Sequence, residues 1–464
     1  MLSQADTEAI DRGAKDLLQE PGIRLDDESV AELAMRHGAR PGASAGVVRM
    51  PREMIAERLA LAPRSIRFAS RDGIVSVDSA SPSRFWTGAA MFTLDEQGVR
   101  PIGVRDLEEL ARVVDTLENV DAVVGTATHE TPPPCRDFVG LRIMAGATRK
   151  HLRALCFTPR GGEAMVEMGQ VLAGPRSLAE RPVFSVGFTA HGPLRWTALA
   201  LGVFRATAGH GIPCTVNGEP MAGASAPVTL AGAAVVGTAE ILAGIVVNQL
   251  LEPGRPCLFN LGFAHSFDMR HGFAVTGGPE NVLLAVAGAE LARFYGLPSV
   301  SWMCTDSLSD DEQNCAEKML AAFSHAQAGV STIWGVGQVE SEKTLSPIQA
   351  VMDDEMIGMV RRCLRGMEVS PESLAIEEIR RAGICGSFLD SDHTLRHFRE
   401  ELYETKLLPR QARGSAREGD SFRARAAERV RTILAAAPEP VLSEHERREL
   451  ELIERRFSRA MLAG

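Results

Sequence analysis

Three of the four tryptophans in this chain, Trp86, Trp302 and Trp334, stand at or near the ends of short apolar runs. The same run ends carry Thr87, His129, Phe188, His191, Asn217, Glu219, Phe263, His265, Asp306 and Glu340. An aromatic face attracts a protonated or quaternary ammonium through its quadrupole, by about 0.5–2 kcal/mol per ring. A carboxylate beside such faces adds charge complementarity. The chemistry these residue types suit is therefore the capture and handling of a small organic cation. Trp86, His191, Phe263, Trp302 and Trp334 are the candidate substrate-binding residues, and Glu219, Asp306, Glu340 and His265 the candidate catalytic ones. No metal site is assigned. His393 and His397 have the i,i+4 spacing of a helical ligand pair, but the sequence offers them no third ligand.

Other motifs fail on context. Gly42-Ala43-Ser44-Ala45-Gly46 matches a nucleophile elbow in letters, but it follows a helix end instead of a strand. His129-Glu130 lacks the second histidine of a zinc-protease helix. No glycine-rich phosphate loop follows a strand and opens a helix, so a bound dinucleotide or nucleotide is not expected.

Positioning residues from many run ends around one centre demands a particular scaffold. Eight apolar runs alternate with helical patterns: 83–88, 122–127, 152–157, 183–188, 212–217, 256–261, 299–304 and 331–336. They are continuously apolar, as in a parallel sheet covered by helices. Gly and Pro punctuate the joins, as in HGIP, EPGRP and YGLP. Eight short units in sequence close most simply into an α/β barrel of the (β/α)8 TIM type, whose catalytic groups come from the C-terminal strand ends. The expected organisation is a helical segment with a hairpin over 1–80, the barrel over 81–366 and a helical extension over 367–464. A further hairpin is expected at 89–102. The tail is expected to wrap the barrel or a second subunit, giving a homodimer.

The composition narrows the partners. Of 464 residues, 45% are hydrophobic and 24% charged, with a net charge of −10. Without a basic patch, neither nucleic acid nor an anionic membrane is an expected partner. No run of about 18 apolar residues is read as spanning a bilayer. The N-terminus reads as a capped amphipathic helix without a secretory signal. Eight scattered cysteines, among them Cys156, Cys214, Cys257 and Cys304, read as small core residues in a reducing compartment, so a cytoplasmic location is expected.

Several longer stretches resemble the trimethylamine methyltransferase family. They include GIPCTVNGEPMAGASAPVTLAGAAVVGTAEILAGIVVNQLLEPGRP, SFDMRHGFAVTGGPENVLLAVAGAELARFYGLPS, TDSLSDDEQ, MDDEMIGMVRRCLRG and DHTLRHFRE, spread over roughly residues 5 to 405. The resemblance implies a barrel that moves a methyl group from a methylated amine to the cobalt of a corrinoid protein. Some members carry pyrrolysine at the barrel mouth. This chain has only ordinary residues, so it resembles the branch without it, that of glycine betaine methyltransferase, with GVGQVES as the equivalent neighbourhood. No D-x-H-x-x-G segment occurs, so the corrinoid is expected on a separate protein, with none bound tightly here.

Three features depart from the family pattern. Its T-D-A-K stands here as Thr305-Asp306-Ser307-Leu308, Glu219 replaces a more usual neutral residue, and NLGFAHSFDM is bulkier than usual. The alternative readings are a barrel lyase or metal-dependent hydrolase using His191, His265 and Asp306, and a non-catalytic amine-binding paralogue.

Overall fold

The computed structural model describes residues 2–412 and 419–463. Its centre is a closed barrel of eight parallel strands: β1 (Arg84–Thr87), β2 (Ala122–Val124), β3 (His151–Arg153), β4 (Phe184–Thr189), β5 (Cys214–Asn217), β6 (Cys257–Gly262), β7 (Ser299–Trp302) and β8 (Thr332–Val336). Each is followed by a helix: α1 (Val104–Asp115), α2 (Arg136–Ala147), α3 (Pro159–Ala173), α4 (Ala198–Ala206), α5 (Leu230–Leu251), α6 (Pro279–Tyr295), α7 (Glu312–Gln327) and α8 (Pro347–Arg365). All eight strands lie within a residue or two of their expected starts. β3 differs most at its far end: it stops at Arg153, where the apolar run continues to Phe157.

Local chemistry sets the joins. Thr158 accepts from Gly161 N and Pro159 opens α3, while Ser346 and Pro347 start α8 the same way. Gly296 closes α6 in the left-handed conformation that glycine adopts freely.

The two ends of the barrel differ. The end at the strand N-termini is plugged by a hairpin, Ile66–Ala69 with Ile74–Val77, whose Phe68 packs edge-on to Trp86 and beside His151. The opposite end, where the βα loops emerge, is the mouth. A second hairpin, Phe92–Asp95 with Gly98–Pro101, follows β1 as expected.

α5 corrects one expectation. At 22 residues it is long and apolar enough to cross a bilayer, yet 78% of its most apolar stretch is buried inside the protein. Helices Gln4–Gln19 and Arg52–Leu59 pack over it, so its apolar surface faces protein all round.

The C-terminal region does two things. Phe422–Ala435 packs on α8 and α1, and Glu444–Leu462 packs on α3 and α2, tied by Arg71–Glu446 at 2.7 Å and by Arg142–Glu454. Residues 366–402, by contrast, form an arm in which none is buried. The arm is fastened at both ends, because Arg362 and Arg365 donate to the Glu401 and Glu400 carbonyls.

Candidate active site at the barrel mouth

Side chains on the inner face of β7, β8 and β1 are aromatic. Trp302 and Trp334 are register partners across β7 and β8. Phe263, just past β6, meets both, with ring centroids 5.5 Å from Trp302 and 5.2 Å from Trp334. Trp86 lies deeper, stacked on Trp334 at 5.8 Å and in contact with the plug. The ring nearest the mouth is thus Trp302 with Phe263, and Trp86 forms the floor. The Trp302 indole donates to Gln338 Oε1, while Trp334 Nε1 is buried without a partner.

One buried ion pair sets the β8 end. Lys318 Nζ, on α7, donates to Asp353 Oδ2 at 2.6 Å and to the carbonyls of Gly335 (2.9 Å) and Gln338 (3.0 Å). Asp353 also accepts from Gly337 N at 2.7 Å and from Gln349 at 2.8 Å. Every charged atom therefore has a partner, which is the condition for such a pair to hold a shape. Gly335, at φ +108°, sits where a Cβ would be 2.4 Å from the Met303 carbonyl.

Beyond β8 the chain makes an unusual turn. Glu340, Ser341 and Glu342 all have positive φ (56°, 48° and 71°), a conformation costing roughly 1–2 kcal/mol for each non-glycine residue. The strain is held by bonds to the loop after β7. Glu340 N donates to Ser307 O (2.7 Å), Ser341 N to Thr305 O (2.8 Å) and Ser341 Oγ to Asp306 Oδ1 (2.6 Å). Asp306 also accepts from Thr276 N, Thr276 Oγ1 and Gly277 N at 2.9–3.0 Å. Its carboxylate is spent on clamping three loops. The Glu340 carboxylate accepts from Thr344 Oγ1 at 2.7 Å. The clamp presents Glu342, which sequence reasoning missed.

Glu342 works with Glu219. Burial, then the nearby carboxylates of Glu342 and Glu240, push the Glu219 pKa up to about 8. Burial pushes Glu342 up to about 7, although the residue as a whole is exposed to solvent. Glu240, on α5, is raised by burial to about 7 and keeps one oxygen unpartnered. The charge of Glu342 also acts on Cys304, inside the aromatic cluster. The charge of Glu342 thus reaches the cluster that holds Trp302 and Trp334.

The remaining expected residues lie elsewhere or are differently used. His265 is buried, hydrogen-bonded at Nδ1 to the Phe263 carbonyl (2.9 Å), and burial lowers its pKa. His191 is exposed on the loop after β4, and His129 is exposed after β2. Phe188 points outward and packs on Phe204 at 3.8 Å. Asn217 is tied to Thr189 and Asn260 at 3.1 and 2.9 Å. Leu308, at the family's lysine position, is 68% exposed.

A pH effect on stability follows. Carboxyls with raised pKa values hold protons that the unfolded chain has lost, so their contribution is present at low pH and disappears as pH rises from about 4.5 through about 8. Thermal melts should show this decline, and Glu219→Gln should flatten it, gaining about 2 kcal/mol at pH 8.5. An unchanged pH profile in E219Q would contradict the assignment of the raised pKa to Glu219.

The comparisons agree with this architecture. The trimethylamine methyltransferase (MTTB) family model matches residues 1–460. Trimethylamine methyltransferase MttB of Desulfitobacterium hafniense is 29% identical over 95% of this chain and 90% of its own length. MttB of Methanosarcina barkeri is 30% identical over 84% and 81%. A glycine betaine methyltransferase of D. hafniense is 28% identical over 95% and 94%. Among solved structures, the monomethylamine methyltransferase of M. barkeri aligns over 97% of this chain and 86% of its own, with a TM-score of 0.55 at 14% identity, a likeness of fold. By a family match across nearly its whole length, this chain belongs to the trimethylamine methyltransferase family.

Proposed function

We propose that this methyltransferase takes a methyl group from a small quaternary or otherwise methylated amine and passes it to the Co(I) of a corrinoid carried by a separate protein, with none bound tightly by this chain. The observation that carries the reading is the Trp302–Phe263 aromatic wall, with the raised-pKa pair Glu219 and Glu342 on loops at the same, catalytic end of a barrel of this family. The corrinoid supplies the nucleophile. The C–N electron pair stays on nitrogen, so a cation becomes a neutral amine without any deprotonation.

The residues of this chain then have defined work. Trp302 and Phe263 hold the methyl-bearing nitrogen by their faces and exclude water. Glu219 and Glu342 give up a proton when the cation enters. When its charge is lost they take a proton back, which favours amine release. The carboxylates stabilise bound cation more than the transition state, so they serve affinity more than chemical rate. Asp306 and Glu340 are proposed as positioning residues for the Glu342 turn, and His265 as a fixed wall of the mouth.

Turnover tests the reading. Chain, Co(I) corrinoid and a panel of methylated amines should give methylated cobalt and one equivalent of demethylated amine. A folded protein that methylates no cobalt with any of them, while attached to its native partner, would overturn it. The hydrolase or lyase alternative has less support, because His191 is exposed, the Asp306 carboxylate is taken up by loop hydrogen bonds and the relatives are methyltransferases.

The arm supports an association surface. Met367, Val369, Ile384, Leu389, Leu395 and Leu402 are all exposed, Ile384 fully, and clustered exposed apolar surface marks interaction sites. The arm leaves α8 beside the strand N-termini, where Arg361 bonds Asn119 and Asp121. That is the end opposite the mouth, where the corrinoid must dock. A second copy of this chain is therefore the proposed occupant, making a homodimer. Light scattering should show a dimer, and Ile384→Glu with Leu389→Glu should give a folded monomer. A monomeric wild-type protein would refute the dimer. The eight free cysteines support a cytoplasmic chain.

A further inference from the structure

The C-terminal helix Phe422–Ala435 does more than cover the barrel. Its buried residues Ala426, Ala427 and Val430 seat it on α8 and α1. It also carries Arg423 and Arg431, eight residues and so about 12 Å apart along the axis. Each reaches a different loop at the barrel mouth. Arg423 Nε donates to Asp310 Oδ1 at 2.8 Å, on the loop after β7. Arg431 Nη1 donates to Glu96 Oε1 at 2.7 Å, in the turn of the Phe92–Pro101 hairpin.

Those two loops are the supports of the Glu342 turn. On one side, the loop that contains Asp310 offers the Thr305 and Ser307 carbonyls to Ser341 N and Glu340 N. Ser307 Oγ is itself tied to Asp311, the neighbour of Asp310, at 2.7 Å. On the other side, the carbonyl of Lys343, directly after Glu342, accepts from Met91 N and Phe92 N at 2.9 and 3.0 Å. Thr344 and Leu345 then pair with Phe92 and Thr93 of the hairpin. Three consecutive non-glycine residues with positive φ persist only where the surroundings over-determine them, so the turn depends on both supports.

The two ion pairs are unequal. Asp310 is buried and its Oδ2 has no partner, so Arg423 is the cation that holds this carboxylate in place. A buried charge that loses its counter-charge forces its loop to rearrange or to hydrate. Arg431 and Glu96 are both more than half exposed, and a groove of about 360 Å³ lies between the hairpin and the helix. An exposed pair across a groove contributes little by itself. Arg423 is therefore the stronger of the two grips.

We propose that the C-terminal helix braces the Glu342 turn, and that Arg423, acting through Asp310 and the loop after β7, is a positioning residue for amine binding. The last step, from the turn to the amine, rests on the methyl-transfer reading. The brace links the tail of the chain to the mouth, which is complete only when the helix is seated with both arginines engaged.

Amide hydrogen exchange and steady-state kinetics on the full chain test this. The reference amides are Val186 and Cys214, bonded to Pro213 O and Pro256 O on the far side of the barrel. Relative to them, Arg423→Gln should speed exchange of the Glu340 and Ser341 amides about tenfold. Arg431→Gln should do the same, by less, at the Met91 and Phe92 amides. The kinetic probe is whichever amine wild type demethylates among trimethylamine, tetramethylammonium, choline and glycine betaine. For it, R423Q should raise KM about tenfold and leave kcat within about twofold. Arg423→Lys, which keeps a cation beside Asp310, should recover most of that loss. Unchanged exchange at Glu340 and Ser341, equal acceleration at the reference amides, or faster exchange at the turn with an unchanged KM would each overturn the proposal. If R423Q does not fold, R431Q decides by the Met91 and Phe92 amides and by KM. Faster exchange at the turn, with no cobalt methylated even by wild type, would instead defeat the transfer reading and leave the brace standing.

Discussion

Replacing both Glu219 and Glu342 by glutamine is expected to raise the KM for a quaternary amine about 100-fold, with a smaller change in kcat. The two carboxyls stand on loops at the same barrel end as the aromatic wall, and the turn that carries Glu342 is strained and clamped to the loop after β7. The wild-type enzyme should also show a distinctive pH profile. Free, the pair is protonated at pH 6, because burial and then the neighbouring carboxylates push Glu219 up to about 8, and burial pushes Glu342 up to about 7. A bound cation favours the charged forms. Affinity should therefore rise with pH through that interval, with proton release on binding, and level off above it. Calorimetry in buffers of different ionisation enthalpy measures the released proton. The double variant should release none. Unchanged KM and proton release in E219Q/E342Q would remove the pair from substrate binding.

The second large effect is on stability. Lys318→Met should destabilise the protein by about 3–5 kcal/mol, since it leaves Asp353 buried without its counter-charge. It also frees the Gly335 and Gln338 carbonyls that Lys318 ties together. Lys318→Met with Asp353→Leu should recover part of that loss, because two apolar groups do not strand a charge. Denaturant unfolding of the single and double variants checks both. If K318M costs less than about 1 kcal/mol, the pair does not hold the β8 end.

The barrel was legible in the sequence because a parallel strand covered by helices must be apolar on both faces, and eight such runs occur in order. The arginine in LRALCF was the missed signal. A charge inside an apolar strand demands a reason, but reading the strand to Phe157 placed its end four residues too far and hid that Arg153 closes β3. Glu342 was hidden differently. Counting from the end of β8 selects Glu340, and nothing in GVGQVESEK announces three residues with positive φ, the last of them Glu342 two positions on.

Side-chain parity explains the rest. Trp86, Trp302 and Trp334 all face inward, but Phe188 falls on the helix-facing side of β4 and packs in the outer layer. Asp306 was found by its place after β7, while its four hydrogen bonds, which make it a clamp, depend on loops distant in sequence. The apolar length of α5 was underestimated because Glu240 interrupts it. In the fold that glutamate points toward the mouth region, where it acts on Glu219.

A crystal structure of the chain with a non-transferable quaternary ammonium ligand tests the central claim most directly. The account predicts the ammonium between the Glu219–Glu342 pair and the Trp302–Phe263 wall, with one methyl directed out of the mouth. Ligand density elsewhere, for example in the groove between the Phe92–Pro101 hairpin and helix Phe422–Ala435, with the mouth empty, would contradict it.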